Sequence, residues 1–196
     1  QVPDADVCLT TDDDEIALLG LRYGQGRLCS IPRPHVLAGA TVPLDPVVHH
    51  AVLDMEAAGH GPYAVVLTLQ ATSPFLSLKT IGAVLEDVIH QLAHSAVTVT
   101  DDRHLRWPGV IGRRFNTEAP LRLNRQIMPP AWRETGGALA TRRPFVTPQS
   151  RFGPRVQLVP VAGLEALDID SWPDWWAAQG YATQRRVAYR TDGGGA

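Results

Sequence analysis

Two aspartates separated by one residue, Asp168 and Asp170, are the sharpest candidate for chemistry in this sequence. In an extended segment, alternate side chains point to the same side about 7 Å apart, so that two carboxylates can share one hard cation. Mg²⁺ bound by one or two carboxylates usually completes its shell with water and substrate phosphates. The pattern is equally typical of an acidic turn before a helix, and the spacing leaves both interpretations open.

A second group of polar side chains follows the apolar run Ala64–Leu69 directly. Gln70, Thr72 and Ser73 offer an amide and two hydroxyls, which suit sugar hydroxyls or a carboxylate, although an ordinary strand-to-helix turn has the same composition. Arg33 lies between two prolines on a stiff connector. It could contact a base or a phosphate, or it could simply be solvated.

Composition and charge exclude several classes of function. The 196 residues carry 18 basic and 20 acidic side chains, a formal net charge of −2, which does not favour a broad contact with nucleic acid or an anionic membrane. There is no GxxxxGK[ST] or GxGxxG motif, and Lys79 is the only lysine. No apolar stretch approaches the roughly 20 residues of a membrane span. We therefore expect a cytoplasmic protein with no nucleic-acid or membrane partner.

The first half of the chain alternates predicted strands and helices. We predict a strand over Asp4–Thr10 and a helix that carries Ile16, Leu19 and Tyr23 on one face. Asp45 is the predicted N-cap of a second helix. The continuous apolar run Ala64–Leu69 is typical of a strand buried on both faces of a parallel sheet. With a strong helix over 81–92 and a strand over 96–100, residues 64–100 form a predicted right-handed βαβ unit.

The second half is less regular. Between Asp101 and Ser150 the only strand signal is Ala138–Thr141, and so long an irregular stretch predicts a binding site or a subunit contact. Val156–Pro160 is a predicted last strand, and Ser171 with Asp174 forms a capping box for a final helix. We predict one α/β domain over residues 1–188 and a flexible glycine-rich tail over 189–196.

Ligands of open α/β sheets bind beyond the carboxyl ends of the strands. Four polar segments are predicted at such positions, and they are Thr10–Asp14, Gln70–Pro74, Thr100–Asp102 and Leu167–Asp170. The topology therefore predicts a site at this end of the sheet without identifying its ligand.

Several segments, in order, resemble one family, the cytidylyltransferases that activate acidic sugars (acylneuraminate, or CMP-sialic acid, synthetases and their Kdo relatives). Leu69–Phe75 resembles the family's LQPTSPLR, and Leu167–Asp170 resembles its DID motif. The other matching segments are Thr10–Asp13 (STD), Arg33–Ala38 followed by Pro43–Asp45 (RPxxLA and its helix), and Arg125–Pro130 with Glu134–Ala138 (RQxLPP and ENGA). The resemblance covers nearly the whole chain.

The resemblance implies a doubly wound, mostly parallel sheet of the nucleotidyltransferase (Rossmann-like) type with a dimerisation excursion in the irregular middle region. It implies CTP and an acidic sugar as substrates, Mg²⁺ as cofactor and a homodimer. By carry-over, Asp168 and Asp170 hold the metal and Arg125 acts at the reaction centre. The implied sugar contacts are Gln70, Thr72, Ser73, Gln126, Thr135 and Gly136, and the implied nucleotide contacts are Arg33 and Asp12.

The chain departs from the family's pattern at three places. Phe75-Leu76 stands where the family has Leu-Arg, and Thr135 stands where it has Asn. The family's first strand and its basic, glycine-rich loop have no counterpart here, so an upstream segment is expected to complete the fold. The departures leave two alternatives to an acidic sugar open: transfer of CMP to another acid such as a phosphonate, and a non-catalytic nucleotide-binding or scaffolding domain.

Overall fold

A computed structural model describes residues 5–106 and 122–192, with the side chains of the last helix described up to residue 184. Six strands and four α-helices are present in these ranges. In chain order they are β1 (Val7–Thr11), α1 (Asp14–Tyr23), β2 (Leu28–Pro32), α2 (Leu44–Ala57), β3 (Val65–Leu69), α3 (Leu78–Ile89), β4 (Ser95–Asp101), β5 (Trp132–Arg142), β6 (Val156–Pro160) and α4 (Trp172–Asp192). This alternation confirms the predicted α/β class.

The strands form two sheets. In one, β1 and β2 pair in parallel with Val7 opposite Leu28. The other has the strand order β3-β5-β4-β6, with β3 antiparallel to β5. The chain divides into two compact units, a first of Gln1–Leu69, Ile81–Val97 and Ala138–Gln157 and a second of Gln70–Thr80, Thr98–Gly137 and Leu158–Ala196. Each unit is described by itself below.

Helix α1 is capped at both ends. The Asp13 carboxylate accepts the Ile16 N–H at 2.9 Å, and the Gly24 N–H donates to the Gly20 carbonyl at 2.7 Å. The helix nevertheless buries none of its side chains among the described residues. Its predicted apolar face is present in the sequence, but Ile16 remains 48% exposed.

The predicted N-cap of α2 is wrong. The helix begins at Leu44, after Pro43, and has no side-chain cap. Asp45 lies inside the first turn, where its carboxylate pairs with Arg151 Nε at 3.2 Å instead of capping the backbone. At helical spacing, α2 buries a row of residues: Val47, Ala51, Val52 and Met55. The core of the first unit forms around Ile31, Ala51 and Met55.

Strand β3 differs from its prediction in two ways. It pairs antiparallel with β5, and it lies at the edge of its sheet rather than in a parallel interior. Its residues are accordingly half-buried, and Leu69 is 50% exposed. A continuous apolar run does not distinguish an edge strand from a central one, because periodicity carries no information about neighbouring strands.

The region predicted as irregular contains the longest strand of the chain. Strand β5 spans Trp132–Arg142, whereas the sequence indicated only Ala138–Thr141. The adjacent glycines Gly136 and Gly137 interrupt the strand pattern, which explains the shortfall. The predicted dimerisation excursion falls largely on residues 107–121, which lie outside the described residues.

Helix α4 begins as predicted, whereas α3 begins at Leu78 and ends at Ile89, three residues before each of its predicted bounds. The Ser77 hydroxyl accepts the Thr80 N–H at 3.1 Å at the start of α3, and Val84 and Val88 are buried. At α4, the Ser171 N–H and hydroxyl both donate to Asp174, at 2.9 and 2.5 Å, which lowers the pKa of that carboxyl. Helix α4 continues to Asp192, so that residues 189–192 of the predicted tail are helical. Within the described ranges, no helix is long and apolar enough to span a bilayer.

One ion pair of the first unit gives a pH-dependent prediction. Arg143 donates two hydrogen bonds of 2.7 Å to Glu56, which hold the pKa of Glu56 below its ordinary value. Because the pKa of Glu56 is lower in the folded state, the ion pair stabilises the fold at pH values above the unfolded-state pKa. That stabilisation is lost as pH falls through the folded-state pKa. We expect Glu56→Gln to lower the free energy of unfolding at pH 7 by about 1–3 kcal/mol, and less at pH 3, in urea titrations.

The matched control for that prediction is Glu86→Gln, which changes an exposed glutamate of α3. It should leave the free energy of unfolding unchanged within about 0.5 kcal/mol. Equal losses in the two variants, or a loss for Glu56→Gln that does not shrink toward pH 3, would contradict the assignment.

Candidate functional site

Two predicted site residues, Gln70 and Asp168, meet at a third, Gly136, in the middle of β5. Gly136 has φ = +72°, a left-handed conformation inside an otherwise extended strand. A Cβ atom at Gly136 would lie 3.0 Å from Asp168 Oδ2 and 3.2 Å from Gln70 Nε2. A glycine inside a strand often marks a bulge or a close approach of other groups. The amide of Gln70 and the carboxylate of Asp168 therefore lie together against the bare face of Gly136, all within the second unit. We refer to these three residues as the Gly136 cluster.

The carboxylate of Asp168 is the unusual group of this cluster. Its Oδ1 atom is buried and has no hydrogen-bond partner among the residues that the structure describes. The neighbouring backbone is fixed, because the Ile169 N–H donates to the Thr72 carbonyl at 2.9 Å. A buried acceptor without a partner is costly, especially on a group that ionises. The position therefore suits a ligand that brings a positive charge or a hydrogen-bond donor.

A hard cation fits this donor set. Carboxylate oxygens are preferred ligands of Mg²⁺, which retains water and phosphate oxygens for the rest of its shell. No group of three or more His, Cys, Asp or Glu side chains suited to a metal occurs in the described part of the chain. Asp168 could thus hold Mg²⁺ only together with water or substrate oxygens. Asp170 is exposed on the same segment, just before α4.

Behind the cluster lies a set of buried hydroxyls. Ser73 and Thr135, both predicted sugar contacts, are 6% and 0% exposed. The Ser73 hydroxyl donates to the Thr135 carbonyl at 3.4 Å, and the Thr135 hydroxyl donates to Thr98 Oγ1 at 2.8 Å. The Thr135 side chain has no surface for a substrate in this structure. Thr72 is half-buried in the turn after β3.

Arg125 and Gln126 lie on a separate turn of the same unit, over Arg125–Ile127. Both side chains are exposed, and neither hydrogen-bonds to the Gly136 cluster in the described part of the structure. The pKa of Asp101, at the end of β4, is lowered chiefly by its hydrogen bonds from Arg103, with a smaller effect of the Arg125 charge. The assignment of Arg125 to the reaction centre therefore stays a prediction.

The two predicted nucleotide residues lie together in the first unit. Arg33 Nη2 donates to the Thr10 carbonyl at 2.8 Å, and Arg33 Nη1 lies 3.9 Å from Asp12 Oδ1. The structure also identifies one polar group that the sequence did not single out, the hydroxyl of Thr10. Both Thr10 Oγ1 and Arg33 Nε are buried without a hydrogen-bond partner among the described residues. A donor and a hydroxyl thus remain unsatisfied at the carboxyl end of β1, where a polar ligand can satisfy them.

In the part of the chain that the structure describes, no histidine belongs to a group of three or more side chains that could hold a metal. His90 and His94 have the four-residue spacing of a helical metal pair, but α3 ends at Ile89. The ring of His94 packs against Phe145 with centroids 4.4 Å apart, and its Nδ1 accepts the Arg155 N–H.

No protein-family model matches this chain, and no curated protein sequence matches it. Among solved structures it is similar to the crystal structure of 4-diphosphocytidyl-2C-methyl-D-erythritol synthase from Anaerococcus prevotii. The TM-score is 0.58 and the identity 15%, and the match covers 93% of this chain and 81% of that chain. At this identity the likeness shows the fold alone, and the chain shares the α/β, Rossmann-like fold of that structure.

Proposed function

We propose that this chain is a cytidylyltransferase that transfers CMP from CTP to an acidic sugar, a nonulosonic acid such as sialic acid or a Kdo-like acid. The observation that carries the proposal is the buried, unpartnered Oδ1 of Asp168, next to Gln70 and Gly136. The motif resemblance supports it. So does the fold, because the name of the similar structure describes the synthesis of a diphosphocytidyl compound.

In the proposed reaction, the anomeric hydroxyl of the sugar attacks the α-phosphorus of CTP. A new phosphorus–oxygen bond forms, the bond to the β-phosphate oxygen breaks, and pyrophosphate and the hydroxyl proton are released. Such catalysis depends mainly on positioning and on neutralisation of charge. Little covalent work is therefore required of the protein.

We assign the described residues as follows. Asp168, with Asp170, would hold Mg²⁺, which when bound neutralises negative charge on the triphosphate. Gln70 orients the acceptor through its amide, whose Nε2 lies against Gly136. Arg33 and Asp12 bind the nucleotide, with the unsatisfied hydroxyl of Thr10 as an added contact. Arg125 and Gln126 approach the acceptor from their exposed turn.

One observation bears on the acceptor and leaves the phosphonate alternative open. Leu76 stands where the resembling family has Arg, and its Cδ1 packs against β5, 3.3 Å from the position of a Cβ on Gly137. An apolar side chain there cannot pair with the carboxylate of a sugar acid. Acceptors of several chemical classes must therefore be compared to identify the substrate.

The homodimer and the upstream segment remain predictions. In the described part of the chain, β1 and β3 are edge strands. Their first residues are close, because the Tyr63 hydroxyl donates to Asp6 at 2.7 Å between the starts of these strands. Edge strands have unpaired backbone groups and can accept a further strand.

The test is pyrophosphate release from CTP and Mg²⁺ with sialic acid, other nonulosonic acids, Kdo and simple phosphonates as acceptors. We expect turnover with at least one acidic sugar, dependence on Mg²⁺ and loss of activity with EDTA. ATP and UTP are the matched controls for the base. Turnover with a phosphonate and with no sugar would show that the acceptor is a phosphonate. No turnover with any acceptor, together with no binding of CTP, would favour a non-catalytic domain.

A further inference from the structure

The left-handed conformation of Gly136 needs support from its neighbours, since strands favour extended backbone. The structure places one buried side chain at the bulge. Thr135 is fully buried, and its hydroxyl lies 2.8 Å from Thr98 Oγ1 and 3.3 Å from the Thr98 carbonyl oxygen on β4. The same hydroxyl accepts the Gly137 N–H at 3.4 Å, on the other side of the bulge.

The hydroxyl of Thr135 therefore joins three parts of the second unit: β4, the part of β5 before Gly136 and the part of β5 after it. It connects β5 to β4 through Thr98, and it connects the residues before and after Gly136 to each other. The Thr135 carbonyl adds a contact with the turn after β3, because it accepts the Ser73 hydroxyl at 3.4 Å. Ser73 is itself part of the turn that begins at Gln70, since its N–H donates to the Gln70 carbonyl at 3.1 Å.

Space around the bulge is limited. A Cβ on Gly137 would meet Leu76, Thr98 and Thr135 at 3.3–3.4 Å. The backbone therefore cannot shift toward β4 without displacing buried atoms. A change at Thr135 is instead transmitted to the open side of the strand, where the groups facing Gly136 are Asp168 and Gln70.

We infer that Thr135 is a positioning residue, whose buried hydroxyl fixes the Gly136 bulge and thereby the relative placement of the Asp168 carboxylate and the Gln70 amide. This inference rests on the proposed function for its kinetic consequence, but the geometric part stands on the contacts above. Thr135 thus acts through its neighbours, and its side chain does not contact the substrate.

Three variants test the inference. Thr135→Val removes the hydroxyl and keeps the shape, and Thr135→Ser restores the hydroxyl. The matched control is Thr141→Val, because Thr141 is a second fully buried threonine of β5 whose hydroxyl contacts Ser95 and Arg151 in the first unit. A merely structural role predicts equal effects of the two valine variants on every measurement.

We expect Thr135→Val to raise the Mg²⁺ concentration for half-maximal pyrophosphate release by about 10- to 100-fold, as supporting residues of metal sites do. Thr135→Ser should stay within about threefold of the unmodified chain, and Thr141→Val should show no change while its unfolding temperature falls. Mn²⁺ binding, followed by electron paramagnetic resonance, should weaken in the same order. Equal effects of the two valine variants, or no rescue by serine, would overturn the inference.

A readout without ligand separates this inference from the proposed function. In ¹H–¹⁵N spectra, Thr135→Val should shift the Gly136 backbone amide and the Gln70 side-chain amide, and Thr141→Val should leave both in place. If the unmodified chain shows neither CMP transfer nor Mn²⁺ binding, the proposed function fails while these spectra still decide the positioning role. Should Thr135→Val not fold, Thr135→Ala, which adds no methyl group against Thr98, is compared in the same way.

Discussion

Replacing Asp168 by asparagine is expected to abolish most CMP transfer and to leave the fold at least as stable as before. The amide removes the charge that would hold the cation on the triphosphate, an effect of several kcal/mol. A loss of about 4 kcal/mol corresponds to a decrease in kcat/KM on the order of 10³. Because Oδ1 of Asp168 is buried without a partner, neutralising the group also removes a desolvation cost. Steady-state kinetics across Mg²⁺ concentrations and thermal unfolding measure the two effects.

Asp174→Asn is the matched control for this charge removal. The carboxylate of Asp174 accepts the Ser171 N–H and hydroxyl at the start of α4. Its neutralisation should lower the free energy of unfolding slightly, because an acidic group at a helix N-terminus is lost. The Mg²⁺ dependence should not change. Mg²⁺-dependent turnover of the Asp168 variant within about threefold of the original would refute the assignment of Asp168.

The second large effect is expected for Gly136→Ala. Alanine in the left-handed region costs about 1–2 kcal/mol, and its Cβ would lie 3.0 Å from Asp168 Oδ2 and 3.2 Å from Gln70 Nε2. Both functional groups must move to accommodate it. Because a displacement of about 1 Å in a catalytic site can cost about 10² in rate, we expect kcat/KM to fall by about 10²-fold.

Gly26→Ala separates the backbone cost from the displacement. Gly26 has φ = +76°, close to that of Gly136, and a Cβ there would meet nothing within 4 Å. Both variants should lose similar free energy of unfolding in urea titrations, and only Gly136→Ala should lose activity. A normal rate for Gly136→Ala would mean that the space beside Gly136 is not used by the reaction.

Features determined by neighbouring residues along the chain were predictable from the sequence. The capping box of α4 formed as predicted, because it depends on residues three positions apart. The buried face of α2 was also predictable from helical spacing. Asp45 was not, since its partner Arg151 is remote in sequence.

Features determined by neighbouring strands were not predictable. Nothing in the apolar run of β3 indicates that this strand lies at the edge of the described sheet, with β5 as its neighbour on one side. The residues that meet at Gly136 come from three distant segments, and only the motif resemblance related them before the structure did. The burial of Thr135 depends on its contact with Thr98 across the sheet. A single sequence contains no signal for that pairing.

The exposed α1 has a consequence for local unfolding. A ten-residue helix that buries none of its side chains gains little from packing and is marginal on its own in water. Its caps and its contacts with β1 and β2 stabilise it, but no burial of side chains adds to them. We therefore expect α1 to open more readily than α3, whose Val84 and Val88 are buried. Asp12 directly precedes the Asp13 cap. We therefore expect opening of α1 to weaken the contact between Asp12 and Arg33, whose Nη2 also donates to the Thr10 carbonyl.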